Sequence, residues 1–302
     1  MRIILSQAAL GWGYVMHAKF RRCVAIVAAL LAGPAFAADM PLKAPPPPAG
    51  FSWDGCYIGG NVGWAGDRPT ADLNPTGTYL TAAGALAPPN AAGTGALPGD
   101  LAAVTNSLST TGSGVDGGVE VGCNKQFGQW VVGVEGDFDG TSLRDTLSAA
   151  FGPVISANPA FTVSSHTDNV SVQADWYSTF RARFGFASDR WLVYGTGGFA
   201  VANLNSSTNV TFGSNGTSPV YANAVHLGSS SQLAAGGAIG AGVEYAFNDH
   251  WTAKVEYLFI ALDTRGYNSP LVAPAGVAAG YAWNTTLSEQ IQTVRFGVNY
   301  KF

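Results

Sequence analysis

From Trp53 onward, apolar and polar residues alternate with a period of two, the spacing at which successive side chains of a β-strand point to opposite faces. Eight segments carry this pattern. In the first, Cys56, Ile58, Gly60, Val62 and Trp64 share a face against Tyr57, Gly59, Asn61 and Gly63. The second sets Val115, Gly117, Val119, Val121 and Cys123 against Asp116, Gly118, Glu120 and Asn124; the third sets Trp130, Val132, Val134, Gly136 and Phe138 against Glu135, Asp137 and Asp139. The fourth alternates Val170, Val172, Ala174, Trp176, Phe180, Ala182, Phe184 and Phe186 with Ser171, Gln173, Asp175, Tyr177, Thr179, Arg181 and Arg183, and no charge falls on its apolar face. The fifth, 191–201, is Gly-rich, with Val193, Phe199 and Val201 on its outer face. Leu233, Ile239, Val243, Tyr245 and Phe247 oppose small residues and Glu244 in the sixth, and Trp251, Ala253, Val255, Tyr257 and Phe259 oppose Thr252, Lys254 and Glu256 in the seventh. The eighth alternates Val294, Phe296, Val298, Tyr300 and Phe302 with Thr293, Arg295, Asn299 and Lys301.

The connections alternate in length. Residues 125–129, 187–190 and 248–250 read as tight turns, whereas 66–114, 141–168, 204–231 and 263–287 read as long polar or small-residue loops. Short turns on the periplasmic side and long loops outside the cell are the pattern of outer-membrane barrels. Composition says which solvent meets the apolar face: 47% of residues are apolar and 11% charged, against about 25% charged in soluble domains. Aromatics sit toward segment ends, at Trp130, Trp191, Trp251, Tyr300 and Phe302, where bilayer interfaces favour them. The pattern therefore predicts an all-β fold, an eight-stranded antiparallel transmembrane β-barrel over residues 51–302.

An unpaired strand edge in hydrocarbon leaves backbone groups unsatisfied, so the first strand has to meet the last. Eight strands enclose only enough room for side chains. Glu120, Glu135, Asp137, Asp175, Arg181, Arg183, Lys254, Glu256 and Arg295 are therefore expected to form an ion-pair network inside the lumen rather than line an open channel.

Ahead of the barrel, Lys19, Arg21 and Arg22 precede the apolar run 24–31, and Ala35, Phe36 and Ala37 follow it. Residues 1–37 thus read as a signal peptide, with either Met1 or Met16 as the start. Residues 38–50, with four consecutive prolines, read as an extended periplasmic leader. Removing the signal takes away Arg2, Lys19, Arg21 and Arg22 and leaves 11 basic against 19 acidic residues, a net charge of −8, which argues against a nucleic-acid partner. Export also favours oxidised cysteines. Cys56 and Cys123 lie near the periplasmic rim of an antiparallel pair with the same facing parity, so a cross-strand disulfide is expected.

The run 53–64 (WDGCYIGGNVGW), the stretch 130–138 (WVVGVEGDF), residues 194–200 (YGTGGFA) and the ending 294–302 (VRFGVNYKF) resemble the small outer-membrane β-barrel proteins of alphaproteobacteria, often called porin-family or surface-antigen proteins and related to OmpA-like transmembrane barrels. The resemblance covers 51–302. It implies a structural and surface protein of the outer membrane, with lipid and lipopolysaccharide around it. It also implies that the barrel-assembly machinery reads the closing aromatics, Tyr300 and Phe302, and it carries no catalytic site. The chain ends at Phe302 without the peptidoglycan-binding domain of full-length OmpA-type proteins, so wall anchoring does not carry over.

Three histidines follow the signal: His166 and His226 in expected outer loops and His250 in a periplasmic turn. None has Cys, Asp or Glu at metal-ligand spacing, so no metal or cofactor is expected. A hydrolase or acyltransferase needs a base beside a nucleophile on rigid strand ends, and no Ser is marked as the partner of these histidines. Envelope integrity is the leading expectation. The alternatives are a narrow diffusion channel and a loop-mediated ligand-binding or adhesive role, hemin being a ligand associated with some relatives.

Overall fold

The computed structural model of the chain describes residues 51–77, 79–80, 86–87, 105–152, 154–155, 162–163, 165–214, 223–273 and 281–302. The predicted signal peptide (1–37) and leader (38–50) lie outside the described residues. Eight long strands make the wall: β1 (Gly55–Asp67), β2 (Gly112–Phe127), β3 (Trp130–Thr141), β4 (His166–Ser188), β5 (Trp191–Phe212), β6 (Val225–Ala246), β7 (Trp251–Ala273) and β8 (Tyr281–Lys301). Each pairs antiparallel with the next, and β1 closes the ring on β8, from Tyr57 opposite Lys301 to Asp67 opposite Ile291. Tight turns join β2 to β3, β4 to β5 and β6 to β7; in the first two, Gly128 and Asp189 take a positive φ.

The expected long loops are in large part strand. Strands β4 and β7 run 23 residues each, about twice the 9–11 a bilayer needs. Thr70–Gly77 continues the line of β1 along β8, Asn106–Ser109 pairs with it, and Arg144–Phe151 pairs with β4. The wall thus projects well past the membrane on the side away from the tight turns.

Strand β8 serves as a ruler. Its outward side chains run Tyr300, Val298, Phe296 and Val294, then change to Gln292, Gln290, Ser288, Thr286 and Asn284. Its inward ones run Asn299, Arg295 and Thr293, then Ile291, Glu289, Leu287, Thr285 and Trp283, all buried. Both faces switch at the same height. Where hydrocarbon wets the outside, the inside holds the charge; where water wets the outside, the apolar residues turn in.

On β4 a bulge makes this switch. Ala174 pairs with Leu204 and Trp176 with Asn203, leaving Asp175 as the extra residue. Below the bulge, Phe180, Ala182, Phe184 and Phe186 face outward; above it, Val170, Val172 and Ala174 are buried inside. These three were expected on the lipid face, and the extra residue reverses their parity.

Candidate functional site

The interior is filled in layers. At the periplasmic mouth the segment before β1 folds back as a plug. Trp53 is 2% exposed, packs edge-on against Phe51 at 4.9 Å, and donates its indole N–H to the Asp189 carbonyl at 3.2 Å. Both belong to an apolar cluster with Val131, Ala187, Leu192, Tyr194 and Ala246. The Gln126 side chain accepts from the Trp53 backbone N–H at 2.7 Å, and the Lys301 ammonium lies 4.5 Å from the Phe51 ring.

Above the plug lies the charged belt, supplied by inward positions of β2, β3, β4, β6, β7 and β8. Arg181 Nη2 donates to Glu135 at 2.6 Å and Asp137 at 2.8 Å, while its Nη1 reaches Glu256 and Thr196, each at 2.9 Å. Arg295 spans Glu256 at 2.8 Å, Asp137 at 2.7 Å and Asp139 at 3.1 Å. Lys254 sits between Glu120 at 2.8 Å and Glu135 at 2.9 Å. Arg183 bonds Glu244, reaches Tyr57 Oη at 3.1 Å and lies 3.6 Å over the Tyr194 ring. The side chains of Arg181, Arg183, Lys254 and Arg295 are completely enclosed. Glycine lets the wall strands come together around them: a Cβ on inward Gly198 would lie 2.0 Å from the Phe180 carbonyl oxygen of the adjacent strand.

The structure thus brings together Glu120, Glu135, Asp137, Arg181, Arg183, Lys254, Glu256 and Arg295. Asp175 is elsewhere. As the extra residue of the β4 bulge it is half-buried, bonded to Gln173 and Asn205 above the belt. Sequence reasoning put Asp139 and Glu244 on the inward face without joining them to the network, and it did not see Tyr57, Tyr194 or the Trp53 plug as parts of the filling. Tyr57 was legible: it shares parity with Asn61 and donates to Glu135 at 2.5 Å.

Over the belt lies an apolar layer that includes Leu143, Leu258, Ile260 and Ile291. Three carboxyl groups follow: Asp67, Asp145 and Glu289. Burial, then the neighbouring Asp67 and Asp145, push Glu289 up to about 9; burial and a hydrogen bond with Asp145 push Asp67 up to about 7. Topmost is a second apolar cluster around Leu73, Leu147, Val170, Phe212, Trp283 and Leu287. Here lie His166 and His226, which were expected in solvated loops; both are buried because β4 and β6 run through those stretches. His166 stacks between Phe151 at 4.8 Å and Phe212 at 5.0 Å. Burial pushes His226 down to about 4 and Asp168 up to about 6, the latter opposed by a 2.8 Å bond from Asn106.

On the outer wall, Cys56 stands opposite Cys123, and the two form a disulfide between β1 and β2 near the periplasmic rim. Tyr300 and Phe302 face outward at the same end, and His250 lies exposed in the β6–β7 turn. Trp130, Trp191 and Trp251 form the lower aromatic girdle; Trp64, Phe138 and Phe199 lie toward the upper edge.

The family model and the sequence relatives agree with this architecture. A family model described as outer membrane protein beta-barrel domain matches residues 23–302. The chain is 33% identical over 288 residues to a 31 kDa outer-membrane immunogenic protein of Brucella melitensis, covering 92% of this chain and 98% of that protein. It is 24% identical to a 22 kDa outer membrane protein of Rhizobium leguminosarum bv. viciae, covering 86% and 82%. Among solved structures, the outer membrane protease OmpT of Escherichia coli overlaps 85% of this chain and 99% of its own at 10% identity, with a TM-score of 0.40. A closed antiparallel ring, an apolar outer band and a match along nearly its whole length place the chain in the outer membrane, as a member of the outer membrane protein β-barrel domain family.

Proposed function

We propose that the protein is a non-conducting barrel that stabilises the outer membrane and presents a rigid extracellular surface. One observation carries the reading: four cations, Arg181, Arg183, Lys254 and Arg295, are locked among six carboxylates, Glu120, Glu135, Asp137, Asp139, Glu244 and Glu256, across a lumen whose side chains are all but inaccessible to water. The Trp53 plug below and the apolar layers above flank this belt, which supports the reading. An ion moving through would have to break several charge-assisted bonds at once.

The reading assigns no reaction to the chain. His166 lies against aromatic rings, and His250 stacks on Tyr300 at 5.5 Å. Its partners in this reading are the surrounding lipid and the barrel-assembly machinery, which would meet Tyr300 and Phe302 on the outward face. Planar-bilayer recording of the purified protein tests it. A silent bilayer is expected after insertion is verified by heat-modifiable migration; reproducible discrete conductance steps would overturn it in favour of a narrow diffusion channel.

A further inference from the structure

The projecting wall has a groove in its outer surface. Across β4, β5 and β6, Asn169, Ser171, Ser207, Asn209 and Ser229 line a depression of about 560 Å³. A second depression of about 330 Å³ shares Ser171 and Ser207 and extends it sideways to Arg144. Most of the lining side chains carry a hydroxyl or an amide, with exposed Leu227 in the first depression and Val172 in the second as the apolar part. Asn169 Oδ1 accepts from Ser148 at 2.7 Å and Asn209 Oδ1 from Thr211 at 2.9 Å, bonds that use the amide oxygens of these two lining residues and not their NH2 donors. Asp145, the carboxylate bordering the second depression, belongs to the interior cluster with Asp67 and Glu289.

Height identifies the occupant. Ser171 lies five residues beyond Trp176, where the apolar outer face of β4 ends; at ~3.3 Å per residue and a tilt near 40° that is about 12 Å above the hydrocarbon. In an outer membrane this shell holds the sugars and phosphates of the glycolipid leaflet. Arg144 is exposed two positions past Ser142, on the same outer face as Phe138, and stands nearer the membrane than the groove's Ser148–Asn169 rung. A planar guanidinium there matches a phosphate, and an uncharged, mainly hydroxyl and amide surface above it, with Leu227 as its apolar patch, matches the hydroxyls and the C–H face of a sugar.

We infer that the β4–β6 outer wall is a docking site for a phosphorylated lipopolysaccharide of the surrounding leaflet, with Arg144 against a headgroup phosphate and Asn169, Ser171, Ser207 and Asn209 against the core sugars. The inference depends on the outer-membrane placement and not on a sealed lumen, so conductance recording and the following test fail independently. Binding of fluorescent rough-type lipopolysaccharide to the purified, folded barrel is measured by anisotropy for the parent protein, Arg144→Glu, Ser207→Trp, the milder Asn209→Ala, and Ser109→Trp as an outward substitution away from the groove. Arg144→Glu is expected to weaken binding about tenfold, the loss of one charge-assisted contact, and to have no effect on dephosphorylated lipopolysaccharide. Ser207→Trp fills the groove and weakens binding of both preparations; Asn209→Ala weakens it less; Ser109→Trp leaves it unchanged. Equal affinity across all variants, or an equal loss with Ser109→Trp, would overturn the inference. Full affinity for Ser207→Trp alongside loss for Arg144→Glu would overturn its saccharide half.

Discussion

The half of the barrel inside the membrane and the half that projects from it are built from the same strands with opposite polarity. Within the bilayer band, Val294, Phe296 and Val298 face out and Arg295 faces in; above it, Gln290 and Ser288 face out while Leu287 and Trp283 face in. An outward polar residue is expensive only in hydrocarbon, and an inward apolar residue gains only where water lies outside. The lower half is therefore held by directional charge pairing and the upper half by packing. The two should fail in different ways.

The sharpest contrast comes from breaking one member of the belt. Arg181→Leu leaves Glu135, Asp137 and Glu256 buried with one fewer cation, and removal of one partner from a buried network costs about 3–5 kcal/mol. Urea titration of folding into lipid vesicles is expected to show that loss or no folding at all; a shift below about 1 kcal/mol would make the belt incidental.

Next in size is a cavity in the upper half. Trp283→Ala removes the fully buried indole at the centre of the top cluster and is expected to cost about 3 kcal/mol there. The membrane half should retain its heat-modifiable migration while trypsin gains access at Arg265. Simultaneous collapse of both halves would show that they are one cooperative unit.

Cys56→Ser removes a link closing a 67-residue separation in the lower half, with an expected loss of about 2–4 kcal/mol by the chain-entropy account and no change in the upper half's protease resistance. Peptide mapping without reductant should recover the two cysteines joined.

The smallest effect is a pH slope confined to the upper half. Glu289 is raised to about 9, so between its ordinary value of 4.5 and about 9 the folded state holds a proton that the unfolded state has released, and stability falls as pH rises through that window. Asp67 acts in the same direction up to about 7 and Asp168 up to about 6, whereas His226, lowered to about 4, adds stability as pH rises from about 4 to 6.5. Above pH 7 only Glu289 among these still titrates. Limited proteolysis of the projecting half should therefore quicken from pH 7 to 9, and Glu289→Gln should flatten that rise.

The lower half was legible because a period-two pattern with charges on one face has one meaning in a chain so poor in charge. Phe180 to Phe186 on β4 and Val294 to Phe302 on β8 face where the alternation put them. The upper half was not legible, because stretches such as 204–212 and 225–231 alternate Ser, Thr and Asn with small or apolar residues, a composition equally suited to loop and to water-facing strand. The bulge at Asp175 hid the rest: the even-numbered residues of β4 read as one continuous stripe, and a single unpaired residue divides it between two solvents. Asp175 was assigned to the lumen for the same reason. The fold-back of Trp53 left no periodic signal, since a plug needs only one well-placed indole.

The inversion of solvent along one strand is tested most directly on β8. Nitroxide labels placed singly at 300, 296, 294, 292, 290 and 288, in a background with Cys56 and Cys123 replaced by Ser, report collision with oxygen in lipid and with a nickel chelate in water. The expected result is oxygen-dominated collision at 300, 296 and 294 and nickel-dominated collision from 292 upward. Oxygen dominance continuing through 288, or nickel access at every position, would contradict the account.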